Sequence, residues 1–479
     1  MCASYSARSV RGRGAAGLAA LALTSGLVAT GVLAAAGPAA AEGRPQSQGG
    51  ATATMGGLKT YGAAVLHDEG GDHQISAGLF EMAVDGGGML QTYCVDIHNP
   101  TQKDAKYYET PWNGTSLGAN RNAGKIRWIL KHSYPQVNDL AALARKAGVK
   151  NLTEQDAAAG TQVAIWRYSD GAHVDAADAR AEKLADYLHR SARDLAEPKA
   201  SLSLDPPAVS GRPGHRLGPV TVHTDASSVT VASPADTGGV RIVGKDGKPV
   251  TSAKNGSRLY FDVPRTAADP DGNSTAPGDA AGSADLTVQA STTVPVGRAF
   301  TSDSRSQTQI LAGSSESTVS ATAVATWADK GAIPALSAQK DCDKGALDIK
   351  VVNKGDKAYT FELMGAAHSV PAAATRTIAI PLQEDQAYDF TITGPDGLGQ
   401  RFAGVLDCKT QGVAVGTKTQ TLGEPVPAPA KAGEVPDGTN LAETGGTDTT
   451  PLIAAIGLSL LVLGATALSI VRKKKTTQG

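Results

Sequence analysis

Gly160-Thr161-Gln162-Val163-Ala164-Ile165-Trp166 has the pattern of a helix with an amide side chain that faces inward. Upstream, Thr153-Glu154-Gln155-Asp156 has the Thr-x-x-acid spacing of a helix N-terminus, where the hydroxyl binds free backbone N–H groups. Residues Ala157 to Tyr168 are expected to be helical, and Ser169-Asp170-Gly171 ends the run. The sequence therefore predicts one continuous helix through this segment.

Gln162 lies between a small and a large apolar side chain on one helix face. In a helical register Ala158, Gln162 and Trp166 are four residues apart and share that face. The methyl-sized Ala158 leaves room for another backbone to approach closely. A buried amide must find hydrogen-bond partners or undergo a reaction, because an unpaired polar group away from water is unfavourable. Gln162 is therefore a candidate functional residue.

A candidate partner is the β-rich run Tyr93-Cys94-Val95-Asp96-Ile97, which follows the turn-like Gly86-Gly87-Gly88. A Tyr-Cys-Val-Asp strand followed by Thr-Gln-x-Ala-Ile-Trp resembles the bacterial surface thioester domains, also called TQxA domains. In that family the Cys and Gln side chains join into an internal thioester with loss of ammonia. The resemblance covers residues 55–197 and implies a bond between Cys94 and Gln162.

Each of the two residues also has a simpler interpretation. Gln162 taken alone is typical of a capped or solvated helix residue. Cys94 taken alone is typical of a small buried hydrophobic residue rather than a reactive thiol. Their joint occurrence, in this order and in a chain with an export signal, favours the thioester.

Residues 1–41 have the features of a signal peptide. Arg8, Arg11 and Arg13 precede a long apolar stretch, and Ala39-Ala40-Ala41 supplies the small residues of a cleavage site. The apolar stretch is also long enough to act as an anchor. Cleavage is favoured because polar residues interrupt the stretch, and the mature chain would then begin at Glu42.

The cysteine count supports the thioester independently of the resemblance. Removal of the signal also removes Cys2 and leaves Cys94, Cys342 and Cys408 in an oxidising compartment. Cys342 and Cys408 bracket one compact β-rich segment, so they are predicted to form a disulfide. Cys94 then has no partner. A free extracellular thiol is exposed to oxidation, and acylation by Gln162 would protect it.

Composition indicates several modest domains rather than one large core, because only 4% of the 479 residues are aromatic and 55 are glycine. The net charge is -1, and no basic stripe points to nucleic acid. Acidic loop residues lack the spacing of an EF-hand and are interpreted as solvated turns. We therefore predict no cofactor, no metal site and no nucleic-acid partner.

The segment 55–197 is predicted to form an α+β domain, in which a small sheet packs against helices. The predicted strands are Thr60 to His67, Ile75 to Val84 and Met89 to Ile97, separated by Gly- and Asp-rich turns. Besides the helix with Gln162, the predicted helices are Asn122 to His132, Asp139 to Ala147 capped by Asn138, and one that opens at Asp175 and stops before Pro198.

Two β-sandwich-like domains are predicted after Pro198. Residues 198–330 are rich in Val, Thr and Ser with period-two alternation, which indicates a stalk domain. Residues 338–412 are predicted to form a small β domain with strands at 347–352, 359–363 and 388–392, each with one buried face. The disulfide between Cys342 and Cys408 would join its first and last strands.

The C-terminal region has the parts of a wall-sorting signal in order. Residues 413–440 are a Pro/Ala-rich linker, expected to be semi-extended. Within 441–479, Leu441-Ala442-Glu443-Thr444-Gly445 resembles the LAxTG form of the sortase sorting motif. An apolar run at 452–471 is long enough for a transmembrane helix, and the basic tail after it is expected to stay in the cytoplasm.

This second resemblance implies that a sortase cuts between Thr444 and Gly445 and joins the Thr carboxyl to a peptidoglycan precursor. The helix is then a transient membrane anchor, and the protein is secreted and covalently attached to a Gram-positive cell wall. Ala442 stands where proline is commoner, which leaves the class of sortase open.

The order of these parts predicts a surface adhesin rather than a turnover enzyme. A nucleophile on a target, most plausibly a Lys amine, would attack the Gln162 carbonyl once and release Cys94. Two other functions stay open. One is a structural wall protein with an inert or merely stabilising crosslink. The other is a hydrolase or transferase that uses the Cys94 thiol with His98, His132 or His173 as its base.

Overall fold

A computed structural model describes residues 49–410 of the chain, except 233, 235–238, 266–280, 395, 396 and 398. Over these residues the protein is mostly β-sheet, with few helices. No helix in the described ranges is long and apolar enough to cross a membrane. The predicted signal peptide, wall linker and sorting signal, with its span at 452–471, lie outside the described residues.

The first part of the chain alternates between strands and helices much as predicted. Its strands are β1 (Thr52–Asp68), β2 (Gly71–Val84), β3 (Met89–Cys94), β4 (Lys106–Thr110) and β5 (Val174–Ala176). A 3-10 turn at Trp112–Gly114 precedes the helices α1 (Ser116–Ala119), α2 (Ala123–His132), α3 (Leu140–Ala147), α4 (Glu154–Ser169) and α5 (Ala179–Ser191).

Two predicted helix starts differ from the structure. Asp139, rather than Asn138, caps α3, because its carboxylate accepts a hydrogen bond from the Ala142 N–H. The last helix begins after Asp178, three residues later than expected, since residues up to Ala176 pair as strand β5 with β1. Both differences lie at helix ends, where local capping chemistry offers several near-equivalent starts.

The predicted stalk is built from two sheets. The strands within the predicted range are β6 (Leu202–Asp205), β7 (Ala208–Gly211), β8 (Arg216–Thr224), β9 (Val229–Ala232), β10 (Arg241–Val243), β11 (Ser252–Ala253), β12 (Arg258–Asp262), β13 (Gly282–Thr293), β14 (Ala299–Ser302), β15 (Gln309–Ser314) and β16 (Glu316–Trp327). One sheet has the order β10-β12-β8-β6 and the other β11-β9-β13-β16-β7. Buried and less buried residues alternate along β16, as expected when one face of a sheet covers a core.

Strands β14 and β15 do not belong to either stalk sheet. They lie inside a seven-stranded sheet of order β2-β3-β15-β14-β4-β1-β5, between strands of the first domain. The predicted domain range 55–197 therefore leaves out two strands of this sheet, and 198–330 is not a self-contained sandwich. Alternation along a strand shows which face is buried but not which strand lies beside it. The sequence-based prediction therefore assigned β14 and β15 to the stalk instead of the seven-stranded sheet.

Helix α4 passes through the middle of the first domain and is buried on all sides from Asp156 to Trp166. The predicted capping box is present, because Thr153 Oγ1 accepts from the Asp156 N–H and the Asp156 carboxylate accepts from the Thr153 N–H. Gly160 allows the backbone of α5 to approach closely, since a Cβ there would lie 2.5 Å from the Ala181 carbonyl oxygen. The predicted close approach is thus made at Gly160.

The first two predicted domains share one continuous hydrophobic core, and a buried ion pair lies where they meet. Glu109 on β4 bonds Arg298 Nε at 2.9 Å, and Arg298 also bonds Glu197 at 2.8 Å. The Glu109 carboxylate further accepts from the backbone N–H groups of Ala51 and Ser201. These added bonds offset the cost of removing both charges from water.

The third part has its own small core. Its strands are β17 (Pro334–Asp341), β18 (Ala346–Asn353), β19 (Tyr359–Leu363), β20 (Ala366–Val370), β21 (Thr375–Pro381), β22 (Gln386–Thr393) and β23 (Gly399–Leu406). The predicted disulfide between Cys342 and Cys408 is confirmed, and it joins the residues just after β17 and β23. Cys94 is the free cysteine of the described residues, and it is buried.

We expect a fragment of residues 49–197 to fold poorly, because it lacks β14 and β15 from the middle of its sheet. Circular dichroism should show a cooperative thermal transition for residues 49–410 and none for the shorter fragment. A cooperative transition of the fragment, with Cys94 protected from alkylation, would contradict the interleaved sheet.

Candidate functional site

Cys94 and Gln162 meet in the interior of the first domain. Cys94 is the last residue of β3, Gln162 is in the middle of α4, and both are fully buried. The Cys94 N–H donates to Gln162 Oε1 at 3.0 Å, and Gln162 Nε2 donates to the Cys94 carbonyl oxygen at 2.9 Å. The backbone of one candidate residue thus satisfies the side chain of the other.

These two hydrogen bonds fix the orientation of the carboxamide against the end of β3. Gln162 Oε1 is the oxygen that would become negatively charged if a nucleophile attacked the side-chain carbonyl carbon. It already accepts a backbone N–H, which is the type of donor that stabilises an oxyanion. The amide nitrogen, which would leave as ammonia on thioester formation, is held on the opposite side by the Cys94 carbonyl.

Two polar side chains surround the Cys94 sulfur. Thr101 Oγ1 lies 3.5 Å from Sγ, and Gln309 Nε2 donates to Sγ at 3.3 Å. Gln309 is on β15, directly opposite Cys94 in the strand pairing. Burial raises the pKa of the Cys94 thiol, the hydrogen bonds with Thr101 and Gln309 lower it, and the Asp96 and Asp170 carboxyls raise it, which together give a pKa of about 12. The free thiol is therefore neutral at physiological pH.

Sequence reasoning missed both Thr101 and Gln309. Thr101 follows the strand in an irregular loop, and Gln309 lies 215 residues from Cys94. The available signal was a run of polar residues, Ser306-Gln307-Thr308-Gln309, just before an apolar strand; all four are buried. Buried polar side chains in succession indicate a hydrogen-bonded site, but only the fold shows that Gln309 bonds the Cys94 sulfur.

Two aromatic side chains close in sequence to Cys94 and Gln162 are buried. Tyr93 and Trp166 are fully buried, and the Tyr93 hydroxyl donates to the Tyr134 carbonyl oxygen at 2.9 Å. On α4, the Thr161 hydroxyl donates to the Ala157 carbonyl oxygen at 2.6 Å and contacts Ser133. The interior around Cys94 and Gln162 is therefore closed to bulk water.

Three carboxyl groups lie near the site. Asp96 follows Cys94 by two residues, Asp170 ends α4 and bonds the Ile97 N–H at 3.1 Å, and Asp407 belongs to the third part of the chain. Thr308, the neighbour of Gln309, donates to Asp407 at 2.9 Å. Burial raises the pKa of Asp96 and of Asp170 to about 8 and that of Asp407 to about 6.

The histidines considered from sequence lie elsewhere. His98 is exposed, and its backbone N–H bonds Asp96. His132 stacks on Trp128 with ring centroids 4.0 Å apart and bonds the Trp128 carbonyl. His173 is exposed. Among the described residues, the side chains that bond the Cys94 sulfur are Thr101 and Gln309, and neither is a base.

One acidic group has the geometry to hold a cation. Carboxylate oxygens of Glu384, Asp385 and Asp407 lie within 4.8 Å of one another. Glu384 also accepts from the N–H groups of Cys408 and Lys409. The group comes from loops beside the disulfide, and no sequence spacing predicted it.

Comparisons with known proteins place the site in a family. The family model described as "TED: Thioester domain" matches residues 91–194, a range that contains Cys94 and Gln162. This part of the chain is therefore a thioester domain, as the two motifs indicated. No curated protein gives a significant match.

Two solved structures show some similarity. The first is the Bacillus anthracis TIE protein, with 14% identity and a TM-score of 0.26 over 74% of this chain and 63% of that one. This chain thus spans less than two thirds of that protein. The second is the E. coli chaperone DraB, with 14% identity and a TM-score of 0.16 over 43% of this chain and 98% of that one. Likeness at this level supports no conclusion about function.

We expect the free energy of unfolding to decrease as pH rises from about 4 to about 8. In the unfolded chain Asp170 ionises near its ordinary pKa, whereas in the folded protein burial raises its pKa to about 8. The contribution of Asp170 to the free energy of unfolding is therefore fully present below its ordinary pKa and is lost as the pH rises to about 8. Asp170→Asn keeps an acceptor for Ile97, so denaturant titrations should show a flatter pH dependence and a more stable protein near pH 8. The exposed Asp246 provides the control, Asp246→Asn. An unchanged pH slope in Asp170→Asn would contradict the buried neutral carboxyl.

Proposed function

We propose that the chain is a cell-surface adhesin that attaches covalently to a target amine through a thioester between Cys94 and Gln162. The observation that supports this most is the pair of hydrogen bonds between the Gln162 carboxamide and the Cys94 backbone in a dry interior. An amide that served only the helix would have no need of this partner. The thioester-domain match over residues 91–194 supports the same chemistry.

Two acyl transfers account for the activity. In the first, Cys94 Sγ attacks the side-chain carbonyl carbon of Gln162, a C–S bond forms, the C–N bond breaks, and the amide nitrogen takes up the thiol proton and leaves as ammonia. In the second, a target amine attacks the same carbon, a new C–N bond forms, and the C–S bond breaks. The electron pair of that bond goes to sulfur, and the proton lost by the amine restores the Cys94 thiol. The product amide has no return path, so each molecule reacts once.

The alternative of a Cys94-dependent hydrolase or transferase is less well supported. Such an enzyme needs a base in contact with its thiol. The groups bonded to the sulfur in the described part of the chain are an alcohol and an amide. A structural protein with an inert crosslink has the same geometry, and reactivity toward amines distinguishes it from an adhesin.

Anchoring to the cell wall is the second part of the proposal, and it rests on sequence. The signal at residues 1–41 directs secretion, and Leu441-Ala442-Glu443-Thr444-Gly445 precedes an apolar run and a basic tail. A sortase and a peptidoglycan precursor are the partners that such a signal requires. The disulfide between Cys342 and Cys408 supports an oxidising compartment.

Residues 42–440 should weigh one ammonia less than the sequence predicts once the disulfide is counted. Methylamine should then add once, on Gln162, and should make Cys94 available to thiol reagents at the same time. Cys94→Ala and Gln162→Ala should each abolish the adduct, because electrophile and leaving group are two halves of one bond.

Gln136→Ala is the matched control, since Gln136 bonds the Ala312 carbonyl on the same sheet but does not touch Cys94. Intact mass and peptide mapping give the result. Repeated consumption of methylamine would point to an enzyme. Loss of ammonia without a methylamine adduct would indicate the inert crosslink of a structural protein, and full calculated mass would refute the thioester.

Thr444→Ala should block wall attachment, because the scissile residue of the sorting motif is lost. Fractionation of cells should find the variant in the membrane or the medium and the wild type in the detergent-insoluble wall. A variant that stays bound to peptidoglycan would refute the anchoring proposal.

A further inference from the structure

The hydroxyl of Thr101 has its acceptor capacity filled by two amides. Gln307 Nε2 donates to Thr101 Oγ1 at 2.8 Å, and Gln309 Nε2 donates to the same oxygen at 3.1 Å. A hydroxyl has two lone pairs and one hydrogen. With both lone pairs occupied, the remaining hydrogen is free to point at the neighbouring polar atom, Cys94 Sγ at 3.5 Å. Thr101 is therefore a donor to the sulfur.

Gln309 is the second donor to the same atom. Its Nε2 carries two hydrogens, one directed to Thr101 and the other to Sγ at 3.3 Å. The orientation of this amide is set from its other end, because the Thr92 hydroxyl donates to Gln309 Oε1 at 2.9 Å. All four side chains, of Thr92, Thr101, Gln307 and Gln309, are fully buried, so no water competes for these bonds.

We propose that Thr101 and Gln309 are catalytic residues that stabilise negative charge on Cys94 Sγ as the thioester forms and as it is opened by an amine. This inference rests on the proposed thioester and adds the residues that serve its leaving group. When the C–S bond breaks, its electron pair moves to sulfur. The N–H dipole of Gln309 and the O–H dipole of Thr101 already point at that atom, so they stabilise the charge without reorganisation.

The surroundings of the sulfur make such donors necessary. The sulfur is fully buried, and a thiolate there loses the solvation that water would give it, so burial opposes the charge that develops on the sulfur. No cationic side chain among the described residues is bonded to Cys94. The backbone N–H of Cys94 serves the carbonyl oxygen of Gln162, so it is not available to the sulfur. Oxygen and sulfur thus have separate sets of donors.

The position of Gln309 links the reaction to the rest of the chain. Gln309 lies on β15, and the β14–β15 pair is inserted between β13 and β16 of the stalk sheet. Its neighbour Thr308 is bonded to Asp407 of the third part. One of the two sulfur donors is therefore supplied from outside residues 91–194, the range that the family model matches.

The test uses residues 42–440 with Gln309→Met and Thr101→Val, which keep the approximate shape and remove the donors. Each should slow methylamine addition about tenfold or more, the effect of losing one charge-assisted hydrogen bond, or should prevent the loss of ammonia altogether. Matched controls are Gln136→Met and Thr110→Val, whose side chains bond the same sheet away from the sulfur.

A second readout separates catalysis from structure. After reaction with methylamine, Cys94 is the sole free thiol of residues 42–440, so the rate of its alkylation as a function of pH reports the titration of that thiol. Loss of either donor should raise the pKa of that thiol, and the controls should not. A purely structural role would change the melting temperature and leave the titration unaltered.

The outcomes distinguish this inference from the proposal beneath it. If the wild type neither loses ammonia nor adds methylamine, the thioester itself is wrong. The other outcome is that the wild type reacts while both donor variants react within about twofold of the controls and their Cys94 thiols titrate as in the controls. In that case the thioester stands, and only the assignment of Thr101 and Gln309 as donors to the sulfur is wrong.

Discussion

The buried carboxamide of Gln162 is the constraint on which the first domain depends. An amide at the centre of a fully buried helix must have both its donor and its acceptor satisfied. The backbone at Cys94 does this with two hydrogen bonds of 3.0 and 2.9 Å. To make them, the end of β3 must lie directly against α4. The same requirement places a thiol beside an oriented carbonyl.

The sheet around this contact is closed by residues from far along the chain. Strands β14 and β15 separate β3 from β4 and bring Gln309 opposite Cys94. The ion pair of Glu109 and Arg298 marks the same junction, in a place where neither charge is exposed to water. Breaking one partner would leave an uncompensated buried charge, which is strongly unfavourable. The thioester domain and the two stalk sheets therefore share one hydrophobic core.

Electrostatics around the site favour neutral forms. Burial raises the pKa values of the Cys94 thiol and of the Asp96 and Asp170 carboxyls, so the resting site carries little charge. A thioester has no charge either, and it suits such an interior. In the proposed acyl transfer, charge would develop on the carbonyl oxygen and on the sulfur, and each of these atoms has donors positioned for it.

Local sequence determined the helix with Gln162, its Thr153–Asp156 capping box, the strand with Cys94, the pairing of Cys342 with Cys408, and the alternating strands of the later sheets. These depend on spacing, capping and cysteine count, which a chain carries wherever it folds. Tertiary structure alone decided that β14 and β15 leave the stalk, that Gln309 and Thr101 contact the sulfur, and that Asp407 approaches Thr308. Those contacts join residues separated by as many as 215 positions. No local preference specifies such a pairing, because which strand lies beside which is settled by burying the whole core at once.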